Sequence, residues 1–231
     1  MDYHPFLSDY PGVYFGRGCP NQRRVALSFD DGPGRATPEL LALLRQLRID
    51  ATFFCLGRAV RAAPGVVARM LADGHEVANH SMSHTDARGL SPAALMEQEV
   101  RPATRELLRA GVNADSAHLF RPAYGEIEAE QVERLGREGY TVAGWSIDPS
   151  DWLEPEAPGH VECVVGAVLA RIHPGAVVLL HDGDDGDYAR HRIVDIVREL
   201  VPALRAQGYG FARVGDLLRE RRAVRTDGLG A

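Results

Sequence analysis

Residues 25–33 read Val25-Ala26-Leu27-Ser28-Phe29-Asp30-Asp31-Gly32-Pro33: a short β-type run, two adjacent carboxylates, then a turn. A turn of this kind needs only one aspartate, and two buried charges without a partner are costly, so the pair points to function. Similar runs recur at Ala51–Cys55, Glu76–Asn79, His118–Arg121, Thr141–Ser146, Val177–His181 and Tyr209–Arg213. Between them apolar residues fall at helical spacing, as in Leu40, Leu41, Leu44 and Leu47, or Ile193, Val194, Val197, Leu200 and Leu204. Thr37-Pro38 and Ser91-Pro92 read as N-caps followed by proline, and Gly74, Gly111, Gly139 and Gly208 stand where helices should stop.

Strands alternating with helices predict an α/β fold with a parallel sheet and right-handed crossovers. The polar residues choose between an open sheet and a closed one. Asp30 and Asp31 follow the first strand, His80 the third, and Asp148 and Asp151 the fifth, while Arg121 closes the fourth and His181 the sixth. In an open sheet these groups would be spread too widely to meet. In a barrel they converge on one mouth, at the C-terminal ends of the strands. The expectation is therefore a distorted parallel (β/α) barrel of about seven strands over residues 25–220, with an N-terminal arm at 1–24 and a frayed tail at 221–231.

Composition narrows the chemistry. Of 231 residues, 45% are hydrophobic and 25% charged, which excludes global disorder. The balance of 26 basic against 32 acidic residues argues against nucleic acid as the main partner. All the basic residues are arginine; without a lysine there is no Schiff base, pyridoxal-phosphate anchor or phosphate-loop lysine. Cys19, Cys55 and Cys163 are too scattered for a disulfide framework or a zinc knuckle. No apolar stretch approaches the roughly 20 residues of a membrane span, and Met-Asp-Tyr-His-Pro-Phe lacks the features of a secretory signal. The chain as it stands is expected to be soluble, with its localisation open between the cytoplasm and the outside of the membrane.

His80 and His84 stand four residues apart, a spacing that puts both imidazoles on one face of a helical turn, close enough to share a cation. A carboxylate from another strand end can complete such a set, and Asp30-Asp31 supplies candidates.

Five stretches then appear in order: Ser28-Phe29-Asp30-Asp31-Gly32, His80-Ser81-Met82-Ser83-His84, Arg121-Pro122-Ala123-Tyr124-Gly125, Asp148-Pro149-Ser150-Asp151-Trp152 and Leu179-Leu180-His181-Asp182. Together they resemble the motifs of the NodB-homology polysaccharide deacetylases, carbohydrate esterase family 4, over about Val25 to Leu218. The resemblance implies a metal-dependent hydrolase that removes acetyl groups from a sugar polymer. It implies Asp31, His80 and His84 as metal ligands, Asp30 as general base and Arg121 as the base's partner. It further implies His181 as general acid with Asp151 beside it, and the Tyr124 N–H as an oxyanion donor. Trp152 and Leu179 would line a slot for the acetyl methyl group.

Ala123 stands where the family usually has a second proline, a change expected to loosen the backbone presenting Tyr124. Asp148 is read as a loop cap. Asp182, Asp184, Asp185 and Asp187 read as a solvated acidic loop, His75 as structural, and His118, His160, His173 and His191 as histidines outside the site. The expected partner is an acetylated carbohydrate, peptidoglycan or chitin-like, with no nucleic acid, no membrane insertion and the oligomeric state open. One divalent metal is expected, zinc first, with cobalt or nickel as alternatives. Competing readings are an acetyl-xylan esterase, a non-haem Fe(II) oxygenase, which also uses two histidines and a carboxylate, and a silent carbohydrate-binding barrel.

Overall fold

The structure, a computed structural model, describes residues 6–183 and 192–227. Eight strands form one parallel sheet: β1 (Tyr14–Phe15), β2 (Arg24–Asp30), β3 (Thr52–Cys55), β4 (Glu76–Asn79), β5 (Leu119–Phe120), β6 (Thr141–Ala143), β7 (Ala176–His181) and β8 (Gly210–Phe211). Their order is β1-β6-β5-β4-β3-β2-β7, with β8 paired to β2. Just after β6, Ile147 bridges to Val178 of β7, so the sheet curls round into the expected distorted barrel.

All seven anticipated strands are present, Glu76–Asn79 with both ends as expected and the others with ends shifted by at most three residues. The eighth, β1, lies in the segment read as an arm and pairs with β6 through Tyr14↔Val142 and Phe15↔Ala143. Two residues are too few to show a period. At the other end, the helix Val214–Asp227 runs past the boundary expected at 221, because Arg221 donates to the Arg17 carbonyl (2.8 Å) and Arg222 to Thr141 Oγ1 (3.0 Å).

Strand periodicity decides which residues reach the barrel interior. Along β2, Val25, Leu27 and Phe29 pack outward with the helices, in one cluster with Leu40, Leu44 and Val197. Ala26 joins the inner cluster with Phe54, Ala78, Ala143 and Val177, and Ser28 and Asp30 share its face. The same alternation carries Val178 and Leu180 of β7 outward, leaving Leu179 and His181 on the inner face. Val25, Leu27 and Phe29 are fully buried, the near-continuous apolar pattern of strands covered on both faces.

Gly74, Gly111, Gly139 and Gly208 end their helices with φ between 80° and 90°, as expected. Thr37 departs from expectation. It is the first residue of the helix Thr37–Leu47 rather than its cap, and its hydroxyl is engaged elsewhere. Among the described residues no helix is long and apolar enough to cross a membrane.

Candidate active site

Arg121, at the end of β5, lies at the centre of the barrel with no exposed surface. Its Nη1 donates to Asp30 Oδ1 at 2.6 Å and to Ser28 Oγ at 2.9 Å. Nε and Nη2 donate to the carbonyls of Ala143 (3.2 Å) and Gly144 (3.1 Å), and the guanidinium lies 3.8 Å from the Phe54 ring centroid. A buried cation is tolerable only with such complete compensation. Ser28 and Asp30 are two residues apart on one strand face, so one planar fork spans both.

Asp31 leaves β2 with φ 73°, in the left-handed region that turns its side chain toward the residues following β4. Its Oδ1 lies 3.3 Å from His80 Nε2 and 3.2 Å from His84 Nε2. The two histidines are not on a helical turn. Residues 80–86 form a loop with positive φ at Ser81 (71°) and His84 (66°). Asn79 Oδ1 accepts from Ser81 N, and Ser81 Oγ accepts from His84 N (3.0 Å), folding the chain back so that the imidazoles converge.

The donor set fits a metal ion. His80 Nδ1 lies 2.8 Å from the Arg121 carbonyl, which can only accept, so Nδ1 carries a proton and Nε2 is the atom available for ligation. One ligand atom from each of Asp31, His80 and His84 falls within 4.8 Å of the others. Burial opposes ionisation of Asp31, but the surrounding histidines hold its carboxyl well below the usual carboxylate range. Burial likewise opposes a charged His80, yet Asp30 and Asp31 raise its pKa. The pocket selects for positive charge beside these three residues, which a dication would supply.

His181 is the register partner of Asp30 on the neighbouring strand. Asp151 holds it twice, with Oδ1 at 2.7 Å from Nδ1 and Oδ2 accepting the His181 backbone N–H at 2.9 Å. Burial works against the imidazolium, but Asp151, with Asp30 and Asp31 beyond it, pushes its pKa up to about 9. Asp148 caps the loop, accepting from Ser150 N at 2.7 Å.

A cavity of about 640 Å³ is lined by Asp30, His80 and His181 together with Leu179, Tyr124 and Trp152. Leu179 is buried, whereas Trp152 is 48% exposed, too open for a plain core residue. Tyr124 has φ 59°, and its ring lies 4.5 Å from that of His84. The turn presenting it is held by Gly125 N to Pro122 O (3.1 Å) and Glu126 N to Ala123 O (3.2 Å). Ala123 itself is buried, and the turn closes through these hydrogen bonds with alanine at that position. Gly125 packs directly on the Trp145 ring, where a Cβ would collide.

Sequence reasoning missed Asp182. It is fully buried rather than solvated, with Thr37 Oγ1 donating to Oδ2 at 2.5 Å, and burial pushes its carboxyl up to about 7. It packs over Gly32, where a Cβ would fall 2.5 Å from Asp182 Oδ1. That missing side chain was the available signal, since Gly32 leaves room for a residue arriving from another strand. Asp184, Asp185, Asp187 and His191 lie outside the described residues. His75 is structural, accepting from Ala51 N; His118 meets the Tyr140 ring edge to face, His160 is buried at a helix start, and His173 pairs with the Pro174 carbonyl.

A curled parallel barrel with a two-histidine, one-carboxylate cluster at its C-terminal mouth defines a barrel with a candidate metal site. Residues 17–143 match the family model described as polysaccharide deacetylase, and the chain belongs to that family. It is 39% identical over 196 residues to a chitooligosaccharide deacetylase of Bradyrhizobium sp. (strain ANU 289), covering 81% of this chain and 87% of the relative. The crystal structure of a peptidoglycan N-acetylglucosamine deacetylase, in complex with an N-oxidanyl-benzamide, aligns with TM-score 0.83 at 28% identity, covering 93% of this chain and 97% of that one. A family 4 pseudoenzyme from Bacillus anthracis aligns with TM-score 0.79 at 26% identity, covering 93% and 72%. The fold alone does not decide activity; the site must.

Proposed function

We propose that the protein hydrolyses N-acetyl groups on an amino-sugar polymer or oligomer, of peptidoglycan or chitin-like type, through a metal site formed by Asp31, His80 and His84. One observation carries the reading. The three candidate ligands, the Asp30–Arg121 pair and the Asp151–His181 pair gather at one barrel mouth, and the last two groups have no use in passive sugar binding.

A dication bound there supplies Lewis acidity, lowering the pKa of a water from 15.7 to about 7 and polarising the acyl oxygen. Two imidazoles and one carboxylate leave positions open for water and substrate, and zinc is the metal we assign, with cobalt or nickel as alternatives. Asp30 takes the proton of the attacking water. Arg121 holds that carboxylate fixed in orientation. The Tyr124 backbone N–H donates to the oxyanion, a contribution of about 2.7–4 kcal/mol for such a donor. His181, kept cationic by Asp151, gives its proton to the departing nitrogen, so the sugar leaves as an amine rather than an amide anion. Trp152 and Leu179 border the acetyl methyl group. Residues 25–220 form the catalytic unit in this reading.

Acetate release from N-acetylglucosamine oligomers, peptidoglycan fragments and acetylated xylan, with elemental analysis of the metal, tests the proposal. Release from an amino-sugar substrate by the metal-loaded protein is the expected result. Release from xylan alone would move the assignment to an O-acetyl esterase. Oxygen uptake by the Fe(II)-loaded protein without acetate from any substrate would overturn hydrolysis altogether.

A further inference from the structure

The loop carrying His80 and His84 is clamped from two sides by groups outside the site. Its carbonyls are held by a helix start: Gly57 N donates to Ser81 O (2.9 Å) and Arg58 N to Met82 O (3.0 Å). Its amides are held by one buried carboxylate. Glu99 Oε2 accepts from Met82 N (3.0 Å) and Ser83 N (2.9 Å), and Oε1 accepts from Ser83 Oγ (2.6 Å). Glu99 is only 5% exposed, so its carboxyl oxygens rely on these donors rather than on water. It lies on a π-helical stretch, Leu95–Val100, between the helical segments Pro92–Ala94 and Arg101–Arg109. A π-turn inserts a residue into the helical repeat, which re-aims the side chains beyond it.

The loop needs such a clamp. Ser81 and His84 both hold φ near 70°, a region that is strained for a non-glycine residue and persists only where the surroundings enforce it. Met82 and Ser83, the residues Glu99 grips, lie between the two histidines. A carboxylate gripping the apex therefore sets the separation of the imidazoles before any cation arrives.

We propose that Glu99 is a positioning residue for the metal site, pre-forming the His80–His84 loop through its three hydrogen bonds. The inference rests on the assignment of Asp31, His80 and His84 as ligands. Glu99 touches no reacting atom; it acts through the loop.

Zn²⁺ and Co²⁺ affinities by competition with a chromophoric chelator, together with the visible spectrum of the cobalt-loaded protein, read this role directly. Glu99→Ala is expected to weaken metal binding by about ten- to a hundredfold, the range for groups that orient ligands. Glu99→Asp keeps the charge but withdraws it by one methylene; it is expected to fold and to bind about tenfold more weakly with an altered cobalt spectrum. Glu99→Gln is expected to stay within about threefold of wild type, because the Ser83 hydroxyl can rotate to accept from the new amide. A purely structural role would lower the melting temperature of all three without changing affinity or spectrum in the folded proteins. Glu99→Asp with wild-type affinity and spectrum overturns the inference while leaving the ligand assignment intact. Wild-type protein that binds neither metal overturns both.

Discussion

Asp151 and His181 meet at two points, carboxylate to ring at 2.7 Å and carboxylate to backbone N–H at 2.9 Å, so neither the orientation of the imidazole nor its Nδ1 proton is free to change. The folded-state pKa of about 9 stands above the ordinary 6.5. A raised histidine pKa stabilises the fold fully below the unfolded value, and that contribution is lost as pH rises through about 9. Titration of His181 by NMR in metal-free protein should therefore show a midpoint near 9. In Asp151→Asn the largest raising partner is gone while burial remains, so the midpoint falls. The alkaline limb of kcat in the metal-loaded enzyme should shift the same way. An unchanged midpoint in Asp151→Asn would remove Asp151 from the role.

Arg121 tests the energetics of the barrel centre. Its removal strands Asp30 and leaves two carbonyls without their donor, and breaking a buried pair in this way costs about 3–5 kcal/mol. Arg121→Ala should lose about that much stability in urea unfolding. Arg121→Lys keeps the charge but lacks the fork that reaches Ser28, Asp30, Ala143 and Gly144 together, so it should be destabilised less yet still lose kcat. Equal kcat in Arg121→Lys and wild type would mean that orientation of Asp30 is unimportant.

Asp30 and His80 separate chemistry from metal holding. Asp30→Asn leaves the three candidate ligands in place, so elemental analysis should find the metal while acetate release falls by about 10²–10⁴. His80→Ala should lose metal and activity together. Acetate release by Asp30→Asn at the wild-type rate would end the base assignment.

These groups were legible because they obey simple periods. Ser28 and Asp30 share a strand face by spacing alone, and His181 closes a strand whose apolar run is plain. The His80–His84 loop was misread as helical because a spacing of four fits a helix as well as a doubled-back loop. The left-handed backbone at Ser81 and His84 decides between them and leaves no trace in side-chain identity. The Gly- and Asp-rich neighbours of Asp182 suggest a solvated residue, but the space left by Gly32 after β2, far away in sequence, buries it. Thr37 carried the pattern of a cap, but Asp182 recruits its hydroxyl.

Trp152 provides the clearest separation of binding from folding. At 48% exposed, beside Leu153 at 56% and Tyr124 at 60%, it forms the open apolar rim of a cavity that Trp145, Pro155 and Leu179 also line, with Asp30, His80 and His181 among its polar groups. An exposed apolar patch of this kind contributes little to the core and is a surface for a ligand with an apolar face, as a sugar ring or an acetyl methyl provides. Trp152→Ala should therefore change unfolding stability by no more than about 0.5 kcal/mol. The same variant should raise KM for an N-acetylglucosamine oligomer about tenfold, equivalent to about 1.4 kcal/mol of lost binding, with kcat less affected. Urea unfolding and steady-state kinetics on one preparation check both halves. A loss of several kcal/mol in stability with KM unchanged would return Trp152 to ordinary packing and remove it from the substrate surface.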